Sequence, residues 1–145
     1  MSESLARAAQ GRPVLALLVA SLFVGCAYPA YRPSSPSAES ETLRVDFLEQ
    51  DDDVFKFMVY SRGDRPMVLR RDEVFLVIDG QRYSRVPGGL KSTYDLPPGG
   101  LHDVNVAYDF SRLDEVSEFS ISFETAVALN GSPVRGPVLQ FSRVD

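Results

Sequence analysis

Residues 103–110 read DVNVAYDF. Val104, Val106, Tyr108 and Phe110 alternate with Asp103, Asn105, Ala107 and Asp109. A period of two places the first set on one face of an extended chain and the second set on the other. A helix would scatter the same residues around its circumference. The stretch therefore predicts a β-strand with one face turned into a core.

The same alternation recurs on both sides of it. In TLRVDFLE (residues 42–49), Leu43, Val45 and Phe47 share one face, with Arg44 and Asp46 on the other. In VFKFMVYS (54–61), Phe55, Phe57 and Val59 share a face. Val74–Ile78 is apolar on both faces, which suits a strand inside a sheet. Asp79-Gly80 after it is a hairpin turn signal, and QRYSRV (81–86) is its returning partner. Phe119, Ile121 and Phe123 alternate with Ser120, Ser122 and Glu124. Asn130-Gly131 marks a second hairpin of type I′. The last strand falls in VLQFSRV (138–144). Pro133 and Pro137 lack N–H donors, so that strand is expected at a sheet edge. From Thr42 onward no stretch carries a helical period.

These segments predict an all-β fold: about seven antiparallel strands over residues 42–145, the count and length of an immunoglobulin-like sandwich. A transthyretin-like sandwich has the same strand count. The order of features resembles the immunoglobulin-like domains carried by bacterial lipoproteins. A strand leads to the polar turn SRGDRP (61–66). The strand VFLVIDG (74–80) ends in Asp-Gly. The loop LPPGG (96–100) then precedes the strongly alternating strand. The cysteine–tryptophan–cysteine core of antibody domains is absent, because the chain has one Cys and no Trp.

The N-terminus has a different character. Arg7 and Arg12 precede an apolar run of 11 residues, Val14–Val24. A spanning helix needs about 20 apolar residues, so the run is too short to cross and fits the h-region of a signal peptide. It closes on LFVGC (22–26). That sequence resembles the lipobox of bacterial lipoproteins, with Phe23 where Leu is usual. The resemblance implies a leader over residues 1–25, cleavage between Gly25 and Cys26, and acyl chains on Cys26. One chain anchors only marginally, at about 0.8 kcal/mol per buried CH₂, and several hold firmly. Ala27 stands where inner-membrane lipoproteins tend to carry Asp. The resemblance therefore implies the outer membrane, facing the periplasm, in a host with two membranes.

Residues 26–41 hold the lipidated Cys and a segment with three Pro and four Ser. Such a composition predicts a disordered tether. Extended at about 3.1 Å per residue, it would carry the domain up to roughly 45 Å from the bilayer. Tyr28 and Tyr31 are candidates for the headgroup level, which favours amphipathic rings.

Charge and composition exclude several functions. A net charge of −5 disfavours nucleic acid and anionic membrane surfaces, which require basic patches. A single cysteine allows no internal disulfide. One histidine and one cysteine cannot build a structural zinc site. No cofactor is expected.

Individual clusters read mostly as structure. Asp51-Asp52-Asp53 offers Ca²⁺ ligands but no EF-hand spacing, and reads as a hairpin turn. Arg62-Gly63-Asp64 spells an integrin tripeptide, yet Gly-Asp is also ordinary turn chemistry. His102 and Asp103 are neighbours on a strand, so their side chains should point to opposite faces. No nucleophile accompanies them, and a triad needs all three groups within reach. The PGG and PPGG stretches (87–89 and 97–100) precede no helix, unlike phosphate-cradling loops. Arg70-Arg71-Asp72 is the candidate interaction patch for an anionic partner. The expected function is a membrane-anchored envelope lipoprotein, not an enzyme, whose sandwich is a protein-interaction or structural module. The alternative is a small-ligand or Ca²⁺-binding lipoprotein, with Asp103 and Asp109 adding carboxylates to the acidic turn.

Overall fold

The computed structural model describes residues 28–89, 91–109 and 115–145. Gly25, Cys26 and Phe110 lie outside them. Thirteen strands are present among the described residues. They are β1 (Tyr31–Pro33), β2 (Ser37–Glu39), β3 (Leu43–Asp51), β4 (Val54–Ser61), β5 (Met67–Arg70), β6 (Phe75–Ile78), β7 (Gln81–Tyr83), β8 (Thr93–Leu96), β9 (Leu101–Ala107), β10 (Glu118–Ser122), β11 (Val127–Leu129), β12 (Ser132–Val134) and β13 (Val138–Arg143). A 3₁₀ turn spans Arg71–Glu73. The strands pair antiparallel in three sheets, β2-β3-β4-β9, β1-β13-β10-β6-β7 and β12-β11-β5-β8. The all-β sandwich expected from the sequence is the fold.

The alternating segments behave as their period requires. Leu43, Val45, Phe55, Phe57, Val59, Val104, Val106 and Tyr108 are buried, while their alternates Arg44, Asp103 and Asn105 are exposed. The hairpin signals also hold: Asp79 and Gly80 have φ of 50° and 79°, and Asn130 and Gly131 have 51° and 80°. Two consecutive positive φ values match the twist of a type I′ turn.

Apart from β8, a short strand not among those expected from the sequence, the strand count exceeds seven for two reasons. The first is a line of breaks through one layer. Met67–Ile78, Glu118–Leu129 and Ser132–Arg143 each run from one sheet into the next, interrupted near residues 71–73, 123–126 and 135–137. The breaks adjoin. Arg70 N–H donates to Ala126 O (2.6 Å), Phe123 N–H to Pro137 O (2.9 Å) and Gly136 N–H to Glu124 O (3.3 Å). Ser122 faces Phe75 on one side, and Val127 faces Leu69 on the other. The sheets β1-β13-β10-β6-β7 and β12-β11-β5-β8 are thus one layer bent along a shared crease. Gly136 makes the crease possible, since a Cβ there would run into the Phe123 carbonyl oxygen.

The second reason corrects the tether. Residues 31–39 are not a disordered linker but belong to the sandwich. β1 pairs with β13, Tyr31 facing Arg143, and β2 pairs with β3, Ala38 facing Val45. Tyr31 is 5% exposed, packs edge-on against Phe119 with centroids 4.7 Å apart, and donates its hydroxyl to Val116 O (3.1 Å). Its ring is therefore in the core and not at a headgroup level. Two backbone ladders and one buried aromatic offset the ordering cost that the Pro and Ser content implied. The segment crosses from one layer to the other and closes that side of the sandwich.

The same pairing corrects the position of the last strand. β13 lies between β1 and β10, inside its sheet. Pro137 precedes the strand, so it removes no ladder bond. Pro133 lies in β12, which is an edge strand, where a missing N–H is tolerated.

The core is aromatic. Phe55 packs against Phe141 (5.4 Å), Phe119 (5.8 Å) and Tyr108 (6.3 Å), and Phe57 packs against Phe123 (5.2 Å). The contacts with Phe141, Phe119 and Phe123 join the layers edge to face, and the tilted Phe55–Tyr108 contact lies within one layer; both geometries suit ring quadrupoles.

Candidate functional site

Arg70, Arg71 and Asp72 lie on the crease. The 3₁₀ turn begins at Arg71 because the chain must change sheets there. The Arg71 guanidinium reaches the β7–β8 loop, donating from Nη2 to Gly88 O (2.7 Å). Arg85 joins it, donating from Nη1 to the same oxygen (2.7 Å) and from Nε to Asp72 Oδ1 (2.8 Å). Gly88 and Gly89 have φ of 136° and 94°, and the Arg71 guanidinium occupies the space that a Cβ on Gly89 would need. The PGG stretch is therefore a bare seat for two arginines. The structure commits Arg71 and Asp72 to holding this loop across the side of the sandwich opposite β1 and β2. Arg85 was not singled out in the sequence, since only the fold brings it to Asp72. Nε of Arg70 and of Arg71 is buried and has no hydrogen-bond partner among the described residues.

The remaining candidates are dispersed. Asp52 and Asp53 form the β3–β4 turn, with Asp52 at φ 54°, and Asp51 lies 3.6 Å from Lys56 Nζ. No group of three or more His, Cys, Asp or Glu is placed to hold a metal among the described residues. Arg62 donates to Glu39 Oε2 (3.0 Å), which fixes the start of the Arg-Gly-Asp turn against β2. His102 and Asp103 approach more closely than strand alternation suggests. His102 Nδ1 lies 2.8 Å from the Asp103 carbonyl oxygen and 3.6 Å from its carboxylate. The imidazole leans along the strand and packs against the Tyr94 ring at 4.1 Å.

Few groups titrate abnormally. Burial pushes the Asp46 carboxyl up, but hydrogen bonds from Arg44 and Ser37 and the Arg44 charge leave it below its ordinary value. The hydrogen bond to Glu49 raises Lys56. Burial holds the Tyr108 phenol well above its usual range. Its hydroxyl donates to Val74 O (2.9 Å) at the crease.

An open cleft of about 730 Å³ lies between the β2–β3 turn and the β12–β13 connection. Glu39, Glu41 and Glu124 line it opposite Arg135. The sequence did not reveal it, because Glu39 and Glu41 lie in the stretch read as tether. No protein family, curated protein or solved structure matches the chain.

Proposed function

We propose that this chain is a lipid-anchored envelope protein whose sandwich, of immunoglobulin-like type, works as a protein-interaction or structural module. The observation that carries the reading is LFVGC at 22–26, which closes the apolar run Val14–Val24. Anchoring at Cys26 would leave only residues 27–30 before β1. That spacer reaches roughly 17 Å at full extension. The sandwich would therefore stand close to the outer membrane, facing the periplasm, and not at the distance that a long tether would allow.

Mass spectrometry of the mature N-terminus tests the anchor: an acylated Cys26 is expected, and an uncut, unlipidated chain overturns it. Cys26→Ser should leave the sandwich folded and release it from membranes. Crosslinking in intact envelopes tests the module, with a specific protein neighbour expected.

A second reading is a small-ligand or Ca²⁺-binding lipoprotein: the cleft lined by Glu39, Glu41, Glu124 and Arg135 favours its small-ligand form, and no three carboxylates are placed to hold a metal among the described residues. Calorimetry with Ca²⁺ and simple sugars decides it, since the absence of heat removes it.

A further inference from the structure

We infer that the free edge of β9 receives an extended peptide segment of a partner protein, added as a further antiparallel strand, with a basic side chain opposite Asp103. The inference rests on the interaction-module reading and gives it a surface and a partner chemistry.

β9 ends the sheet β2-β3-β4-β9, with no strand beyond it among the described residues. Two hydrogen bonds fix which backbone groups face outward. Tyr108 N–H donates to Asp53 O (3.3 Å), and Ser61 N–H donates to Gly100 O (2.9 Å). Both bonds lie on the β4 side. In an antiparallel strand each residue directs its N–H and C=O to one neighbour, and the next residue directs them to the other. Even-numbered residues therefore bond β4. Leu101, Asp103, Asn105 and Ala107 turn their backbone groups away from it. Val86 N–H donates to Ala107 O (2.7 Å) from that far side, as this assignment requires. Among the described residues no backbone group reaches Leu101, Asp103 or Asn105 from there. His102 Nδ1 caps the Asp103 carbonyl at 2.8 Å.

The other terminal strands are shorter or guarded. β1, β2, β7 and β12 have three residues each and β8 has four, and β12 contains Pro133. β9 has seven, and its register with β4 runs without a shift from Ala107 opposite Val54 to Leu101 opposite Tyr60. It carries no Pro, bulge or Lys, and the β7–β8 loop covers it only at Ala107 while His102 caps a single carbonyl. A long, regular edge of this kind is the substrate for strand addition.

Asp103 selects the occupant. Its side chain is 68% exposed on the outer face of the sheet. A directly opposite residue in a new antiparallel strand shares that face, so a basic side chain attracts and an acidic one repels. The net charge of −5 favours the same partner. Two-fold pairing of β9 with a second copy, Leu101 against Asn105, would set Asp103 against Asp103, which disfavours self-association.

The test is amide hydrogen exchange by NMR on the full chain in detergent micelles. The probe is the peptide acetyl-Thr-Val-Lys-Val-Ile-amide, compared with the same peptide carrying Glu in place of Lys. Without peptide, the Asp103 and Asn105 amides should exchange faster than those of Val104 and Val106. With the Lys peptide at about ten times its dissociation constant, they should slow about tenfold. The Glu peptide should protect less, and Asp103→Lys should reverse that preference. Asn105→Pro removes only an outward N–H, so it should abolish protection while the β4 ladder stays protected. The inference is overturned if Asp103 and Asn105 are already protected in the free chain, or if neither peptide slows them. Protection that rises with protein concentration alone, together with a sedimenting dimer, also overturns it in favour of a second copy. Envelope crosslinks mapping to another surface would leave the interaction-module reading standing and remove this edge from it.

Discussion

The layer made of β2, β3, β4 and β9 runs through strands of nine, eight and seven residues, whereas the facing layer breaks each of three neighbouring segments midway. The long strands need only local instruction, an apolar side chain at every second position. The broken segments need their neighbours to break at the same level, because each crease residue bonds to the crease of the next segment. The unbroken layer is thus specified residue by residue, and the bent layer is specified by three segments together.

Truncation in the unbroken layer should cost most. Phe55 sends its ring from β4 into the rings of the opposite layer, so Phe55→Ala should destabilise by about 3–5 kcal/mol, read by urea denaturation. A loss below about 1 kcal/mol would mean that the layers are not joined through this ring. The crease should come next. Gly136→Ala forces a Cβ against the Phe123 carbonyl and should cost about 1–3 kcal/mol, as overpacking does. Unchanged stability would show that the crease is loose and that the two layers are specified alike.

Tyr108 joins the regions by donating to Val74 O, so its loss sharpens the comparison. Tyr108→Phe leaves a buried carbonyl unpaired and should cost about 1–3 kcal/mol. The pH dependence has a definite sign. The folded state holds the phenol proton above the ordinary value of 10.0, so this stabilising contribution is complete below pH 10 and fades as pH rises beyond it. Urea midpoints of the wild type should fall on the alkaline side of pH 10, and Tyr108→Phe should flatten that fall.

The smallest effect is expected at Asp46, on the outer face of β3. Its folded-state value is depressed, so its contribution is present above the ordinary value of 3.8 and is lost as pH falls below it. The Arg44 partner is nearly half exposed, so solvent screens the pair and its contribution is small. Arg44→Ala should therefore lower the urea midpoint slightly at pH 7 and not at all once the carboxyl is protonated, and a large effect at pH 7 would contradict this.

Legibility followed the same division. Leu43, Val45, Phe55, Phe57, Val59, Val104 and Val106 were readable as core residues because alternation is a property of consecutive residues. The two hairpins were readable because Asp-Gly and Asn-Gly tolerate consecutive positive φ values. Tyr31 was not, since nothing near it in sequence announces Phe119 and the Val116 carbonyl. The Arg71–Gly88–Arg85–Asp72 seat was equally hidden, because its members meet only when the crease brings β5, β6 and the β7–β8 loop together. The candidate patch Arg70-Arg71-Asp72 could be located in sequence, but its commitment to the loop could not.

By itself the sequence determined an all-β chain, its long strands, its hairpin turns and its acidic character, since each is set by local periodicity, turn chemistry or summed charge. Only the tertiary structure decided that residues 31–39 complete the sandwich, that β13 lies inside its sheet and that β9 keeps a free edge. Those outcomes depend on hydrogen bonds between residues as far apart as Ala30 and Val144, and no local pattern encodes such partners.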